Sequence, residues 1–220
     1  MIRLVKFLLL IEKITQYNKE LIDKGLTPQK IYELCSCIRE TFCLSYSIRK
    51  DNNLYLYFQN ERILISLIGK ALRYLGPDER SQALLLEKAL RIAKGIDFKL
   101  GGGKKQSTPG IYGSKFFDHR SFLLSILSEV IGNVYFITED EKFNIKEKDI
   151  FPPNLDFVTF LDDILFILPT YEISNGNSEF LNLFNDMKNI KFFSLSKIKQ
   201  IENKILYINY RKDHKDSVRL

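Results

Sequence analysis

Histidine and cysteine are scarce in this chain of 220 residues, with two of the first and three of the second. His119 and His214 lie far apart and have no ligand-spaced partners, which argues against a metal site. Cys35, Cys37 and Cys43 are odd in number and fit no paired framework, and free thiols point to a reducing, cytoplasmic setting. Cys35 and Cys37, two apart on a helical stretch, face different directions and are poorly placed to share a metal. Long apolar runs are also missing. LVKFLLLI at residues 4–11 is too short to cross a bilayer, carries Lys6, and is followed by no small-residue cleavage site. The expectation is a buried first strand, without a signal peptide. No nucleophile elbow G-x-S-x-G, no dinucleotide fingerprint G-x-G-x-x-G, no internal repeat and no low-complexity tract occurs. Gly101-Gly102-Gly103-Lys104-Lys105 is not a nucleotide P-loop, because Phe98 stands where the first glycine is needed and Lys105 where Ser or Thr is needed. It reads as a mobile basic loop able to touch a phosphate backbone.

What remains is an ordinary globular composition, 45% apolar and 27% charged, long enough for a single α/β domain spanning residues 1–220. Lys plus Arg exceed Asp plus Glu by 33 to 27, and the net charge of +6 favours a polyanionic partner without proving one.

Along the chain, apolar Ile31, Leu34, Cys35, Ile38 and Phe42 mark an amphipathic helix over residues 28–44 with Thr27 as its N-cap. Residues 45–51 form a polar, partly basic loop, and strands follow at 53–58 and 62–67. The stretch 68–90 organises the chain. Gly76-Pro77 with Asp78 and Glu79 opens a helix whose rows Ala83/Leu86/Leu90/Ala93 and Leu85/Ala89/Ile92 face inward, with Gly95 as a left-handed terminator. Asp118 caps a further helix with Phe122, Leu123, Ile126, Leu127, Val130 and Ile131 inward, ended by Gly132. Strands are expected at 133–138 and at 163–168, the latter a continuous apolar run suited to a central parallel position and stopped by Pro169. A helix near 178–187, a strand at 190–193 and a terminal helix carrying Ile198, Ile201, Ile205 and Ile208 complete an α/β chain with a mostly parallel sheet.

Three segments carry a resemblance. Leu44-Ser45-Tyr46-Ser47-Ile48-Arg49-Lys50-Asp51 looks like the pattern L-S-H-G-I-R-K-D. Leu72-Arg73-Tyr74-Leu75-Gly76-Pro77-Asp78-Glu79-Arg80-Ser81 follows at the right distance, and then Pro109-Gly110-Ile111-Tyr112. Together they resemble the archaeal tRNA pseudouridine N1-methyltransferases of the SPOUT class. The resemblance implies an α/β fold with a SPOUT-type parallel sheet and C-terminal trefoil knot, a homodimer, bound S-adenosylmethionine, and N1-methylation of pseudouridine 54 in the tRNA T-loop.

On that resemblance Arg80 is the candidate stabiliser of charge on the base and Asp78 the orienting or accepting acid, a helix cap being the other reading of Asp78. Arg49, Lys50, Arg73, Lys104 and Lys105 are the candidate phosphate contacts, against the alternative of solvated surface charges. Leu168, Thr170, Ser194, Leu195 and Ile201 fall near the cofactor by resemblance. The chain departs from the pattern where a G-D-H turn is expected, running instead into Leu168-Pro169-Thr170-Tyr171-Glu172; Ser194-Leu195-Ser196 replaces S-L-G, and a cysteine expected in the last helix is absent. Pro169 cannot supply a glycine's positive φ. A non-enzymatic RNA-binding dimer on the same fold therefore stands beside the enzyme, as does a methyltransferase for another RNA base.

Overall fold

The apolar octad at the start of the chain is a fully covered strand, with Val5 and Phe7 to Leu10 each exposed by 2% or less. A strand buried on both faces needs layers above and below it, and the chain supplies them. A computed structural model of the protein describes residues 4–97, 103–139, 163–170, 183–184, 187 and 190–216. In order, the elements are β1 (Leu4–Ile11), α1 (Lys19–Asp23), α2 (Gln29–Phe42), β2 (Asn52–Phe58), β3 (Ile63–Ile68), α3 (Glu79–Lys94), β4 (Lys105–Thr108), β5 (Ile111–Lys115), α4 (His119–Ser128), β6 (Val134–Thr138), β7 (Asp163–Pro169), β8 (Ile190–Ser194) and α5 (Ile201–Asp216).

The strands form one sheet ordered β4-β5-β3-β2-β1-β7-β6-β8. From β2 to β8 every neighbouring pair is parallel, whereas β3, β5 and β4 add on antiparallel. Helices α2, α3 and α5 cover one face through Ile31, Leu34, Leu86, Leu90, Ile205 and Ile208. Helix α4 covers the other through Phe122, Leu123 and Ile126, with Phe122 stacked 3.5 Å from the Tyr57 ring. Parallel pairing gives the sheet two unlike edges. At the leading edge β1, β2 and β7 begin, with Leu4 opposite Asp163 and Val5 opposite Asn52; at the trailing edge Ile11 lies opposite Phe58 and Leu10 opposite Pro169.

Lys6 within β1 is explained at the leading edge. Its ammonium meets Asp163 at 2.9 Å and also donates to the Glu129 carbonyl, so the one charge in the octad is paired inside the protein.

Several expectations are corrected. Pro28, not Thr27, precedes α2, and no side chain caps it. Gly95 closes α3 at φ −80°, so it is not left-handed; the Gly95 N–H reaches the Arg91 carbonyl without a positive φ. The basic loop is partly a hairpin: Lys105 opens β4, which pairs with β5, while residues 98–102 lie outside the described residues. Gly110, at φ +83°, turns that hairpin. Ile131 is 95% exposed, since α4 ends at Ser128 and the chain beyond it no longer follows the helical face. The expected helix at 178–187 falls mostly outside the described residues. Ile198 precedes the terminal helix, which begins at Ile201; its Ile205 and Ile208 are buried against the chain's own α2 and sheet. Among the described residues no helix is long and apolar enough to cross a membrane.

Candidate functional site

The three segments that carry the resemblance are separated in sequence and come together at the leading edge. Gly69 packs where a β-carbon would sit 2.3 Å from the Asn52 carbonyl and 2.6 Å from that of Arg49, so only glycine lets the β3 exit lie against the β2 entrance. A β-carbon on Gly110 would lie 2.5 Å from the Leu72 nitrogen, which fixes the hairpin turn against the start of the 72–81 segment. Lys50 Nζ donates to the Leu72 carbonyl, and Gln82 Nε2 donates to the Gly76 carbonyl at 2.9 Å.

Helix α5 closes the same edge from behind. Arg49 donates through both terminal nitrogens to Asp213, at 2.8 and 2.6 Å. Lys212 donates to Asp51 and, at 3.0 Å, to Asn52 Oδ1; Asn52 Nδ2 donates to Asn209 Oδ1 at 2.9 Å and to the Thr41 carbonyl at 2.8 Å. Burial pushes the Lys212 ammonium below its ordinary range, with Asp51 opposing that shift. Asn52, Asn209 and Lys212 were not singled out in the sequence. Two adjacent asparagines opening a strand were the available signal, but the α5 partners of Asn52 lie 157 and 160 positions away.

Asp78 is the N-cap of α3. Its carboxylate accepts from the Ser81 N–H at 2.8 Å and the Ser81 hydroxyl at 2.7 Å, and these bonds hold its pKa below the usual carboxylate value. Arg80 projects from the same turn, 60% exposed, and pairs with Asp23 of α1 at 2.7 Å. Arg73 is exposed on the turn before Asp78. Lys104 and Lys105 are exposed on the outer edge of the sheet, three strands beyond β2, with Lys104 Nζ 4.7 Å from the Tyr112 ring centre. Of the expected phosphate contacts, Arg49 and Lys50 are thus held by internal partners, whereas Arg73 and Lys105 face solvent.

The trailing edge holds a cleft of about 410 Å³. Ile11 and Phe58 from strand ends, Thr170, Cys37 of α2 and Ile201 of α5 line it, as do Glu12, Glu33 and Glu202 with Lys13, Lys30 and Lys199. Position and size suit a small ligand, since open parallel sheets bind at the carboxyl ends of their strands. Of the five expected cofactor residues Thr170 and Ile201 line the cleft. Leu168 and Leu195 are buried in the core. The Ser194 hydroxyl is buried with no partner among the described residues. Thr170 donates its N–H at 2.9 Å and its hydroxyl at 2.8 Å to one acceptor, the Leu10 carbonyl. Burial pushes the thiols up, Cys35 to about 12 and Cys37 well above its ordinary value, so neither is a nucleophile.

A family model described as "Putative SAM-dependent RNA methyltransferase" matches residues 7–158. Among curated proteins, the chain is 36% identical over 107 residues to a tRNA (pseudouridine(54)-N(1))-methyltransferase of Methanocaldococcus jannaschii, covering 47% of this chain and 51% of that one. It is 34% identical over 110 residues to the protein of the same name from Methanocella arvoryzae, covering 49% and 52%. With that of Thermococcus kodakarensis the identity is 32% over 149 residues, 66% of this chain and 72% of that one. The chain thus spans about half the length of the first two relatives. The family match contains segments 44–51, 72–81 and 109–112 but not Lys6, Asp163 or α5, and it ends before Leu168, Thr170, Ser194, Leu195 and Ile201.

Proposed function

The chain belongs to that RNA methyltransferase family, and we propose that it methylates N1 of pseudouridine 54 in the T-loop of tRNA with S-adenosylmethionine as donor. The convergence of segments 44–51, 72–81 and 109–112 into one rigid edge carries this reading, because a substrate-positioning surface requires such fixed loops. The wider proposal is a single SPOUT-type domain, cytoplasmic and homodimeric. The resemblance extends this to a C-terminal trefoil knot, in the part of the sheet where β7, β6 and β8 lie side by side. Leu206 and Tyr210, 48% and 50% exposed on α5, are the apolar residues offered to a second copy.

S-adenosylmethionine would supply an electrophilic methyl group. Thr170 and Ile201 would hold it in the trailing cleft, where Glu12, Glu33 and Glu202 suit its ammonium and sulfonium charge and Lys13, Lys30 and Lys199 its carboxylate. The Ser194 hydroxyl, buried and without a partner among the described residues, is a further polar group near the strand ends. On the RNA side, N1 of pseudouridine is imide-like and loses its proton as the methyl group arrives. Arg80 would exchange Asp23 for the carbonyl oxygens of the base and stabilise their developing charge. Asp78, ionised and bonded to Ser81, orients rather than strips a proton, since its lowered pKa makes it a weak base. Arg73, Lys104 and Lys105 contact phosphates, while Arg49 and Lys50 fix the loop that carries them.

The second reading, a non-enzymatic RNA-binding dimer, is favoured by one observation. Pro169 has no N–H and that of Thr170 is used by Leu10, so neither of these two residues offers a free backbone donor to an adenosine. Transfer of labelled methyl from S-adenosylmethionine to T-loop RNA separates the two. The enzyme labels RNA containing pseudouridine and not the same RNA containing uridine, whose N1 is glycosidic; no label in either RNA, with RNA binding intact, would select the dimer.

A further inference from the structure

Tyr46 and Tyr74 stand on the two loops that lock together at the leading edge, and both are exposed, by 101% and 70%. Neither makes a hydrogen bond or ring contact among the described residues, although buried aromatic side chains elsewhere in the chain stack on one another. Their loops are held still. Cys43 bridges to Ile48 across the base of the first, Lys50 donates to the Leu72 carbonyl at the start of the second, and Gln82 fixes Gly76 at its end. A tyrosine on such a loop loses little conformational freedom when it binds, having two χ angles on a fixed backbone. Exposed Lys70 and Arg73 lie on the second loop beside Tyr74; Asp78, whose carboxylate is engaged by Ser81, is the nearest exposed acid in sequence to Tyr74.

We propose that Tyr46 and Tyr74 form a stacking site for unpaired nucleobases of the RNA substrate, the surrounding cations holding the flanking phosphates. Aromatic faces beside cations recognise splayed-out bases, and single-stranded loops are the RNA elements that can present them. Paired RNA offers only phosphates to this surface, so the site selects loops over duplex. This rests on the RNA reading given above.

The chain contains no tryptophan, so Tyr46→Trp or Tyr74→Trp places a single indole at the site. The probes are a hairpin with a seven-nucleotide unpaired loop and a blunt duplex of equal nucleotide count. Quenching of either indole by the hairpin and not by the duplex is expected. Tyr46→Ala and Tyr74→Ala should each weaken hairpin binding by roughly tenfold with an unchanged salt slope, whereas duplex binding stays as in the parent. Parent-like hairpin affinity in both alanine variants, with unquenched indoles, overturns the stacking site and leaves RNA binding standing. Failure of the parent itself to bind the hairpin overturns both.

Discussion

Among the described residues, the leading edge of the sheet is closed by directional bonds, whereas the trailing edge holds a cleft. At the leading edge Lys6, Asp51, Asn52, Asn209 and Lys212 are held by hydrogen bonds or ion pairs, and two glycines admit backbone where no side chain fits. At the trailing edge six charged side chains line a cleft together with the ends of β1 and β2. The first arrangement tolerates little change, because removing one partner strands another in a low-dielectric interior. The second tolerates much, because water solvates what is left. The family match, residues 7–158, contains the three loops of the first edge and also Ile11, Glu33, Cys37 and Phe58 of the cleft, so it takes in part of both.

The contrast can be broken by removing one charge from each edge. Lys6→Met leaves Asp163 buried and unpaired and should cost about 3–5 kcal/mol, read as a lower midpoint in urea. Glu12→Gln, on the exposed wall of the cleft, should change that midpoint by less than about 0.5 kcal/mol. Equal costs would show that the edges are not built differently.

Gly110→Ala tests the backbone component. At φ +83°, with the Leu72 nitrogen 2.5 Å from the new β-carbon, it should cost about 2–3 kcal/mol and weaken hairpin binding, because the 72–81 segment must move. An ordinary surface glycine such as Gly95, whose φ is −80°, should accept alanine without loss.

A smaller effect is expected at Asp78. Its carboxyl pKa lies below the unfolded value, so its contribution is present above that value and lost as pH falls through the folded one. Asp78→Ala should therefore cost about 1 kcal/mol near neutrality, and the difference from the parent should shrink in acid below about pH 4. A constant difference across that range would mean that Asp78 does not act through its charge.

The smallest effects belong to the solvated cations. Arg73→Glu and Lys105→Glu should each lower the slope of log affinity against log salt by about one or two, without loss of stability. Arg49→Glu, by contrast, should destabilise the chain as well as weaken binding, because Asp213 loses its bidentate partner.

Much of this was legible from local pattern. The rows of α3 face inward as their spacing requires, with Ala83, Leu86, Leu90 and Ala93 all buried, and Asp78 and Asp118 cap the helices they precede. Strand β7, an apolar run, lies inside the parallel block. What escaped depended on distant partners. Arg49 and Lys50 look like solvent-facing cations in a basic run, and only the return of α5 and the 72–81 turn makes them internal clamps. The β4–β5 hairpin was hidden because the glycines and lysines before it signal a loop, while its strands, KQST and IYGSK, have little apolar alternation. That α2 covers Ile205 and Ile208 of α5 is likewise beyond the reach of a single sequence. For the cofactor residues, a resemblance places backbone positions, but whether a hydroxyl such as that of Thr170 is free is decided by a carbonyl 160 positions away.

Calorimetric titration of S-adenosylmethionine tests the central claim, that the divergent trailing edge still serves the intact leading one. A micromolar Kd, about −8 kcal/mol, is expected, surviving Arg73→Glu and abolished by Ile201→Arg, which fills the cleft. No heat of binding with the parent chain, at concentrations where it binds T-loop RNA, would contradict it.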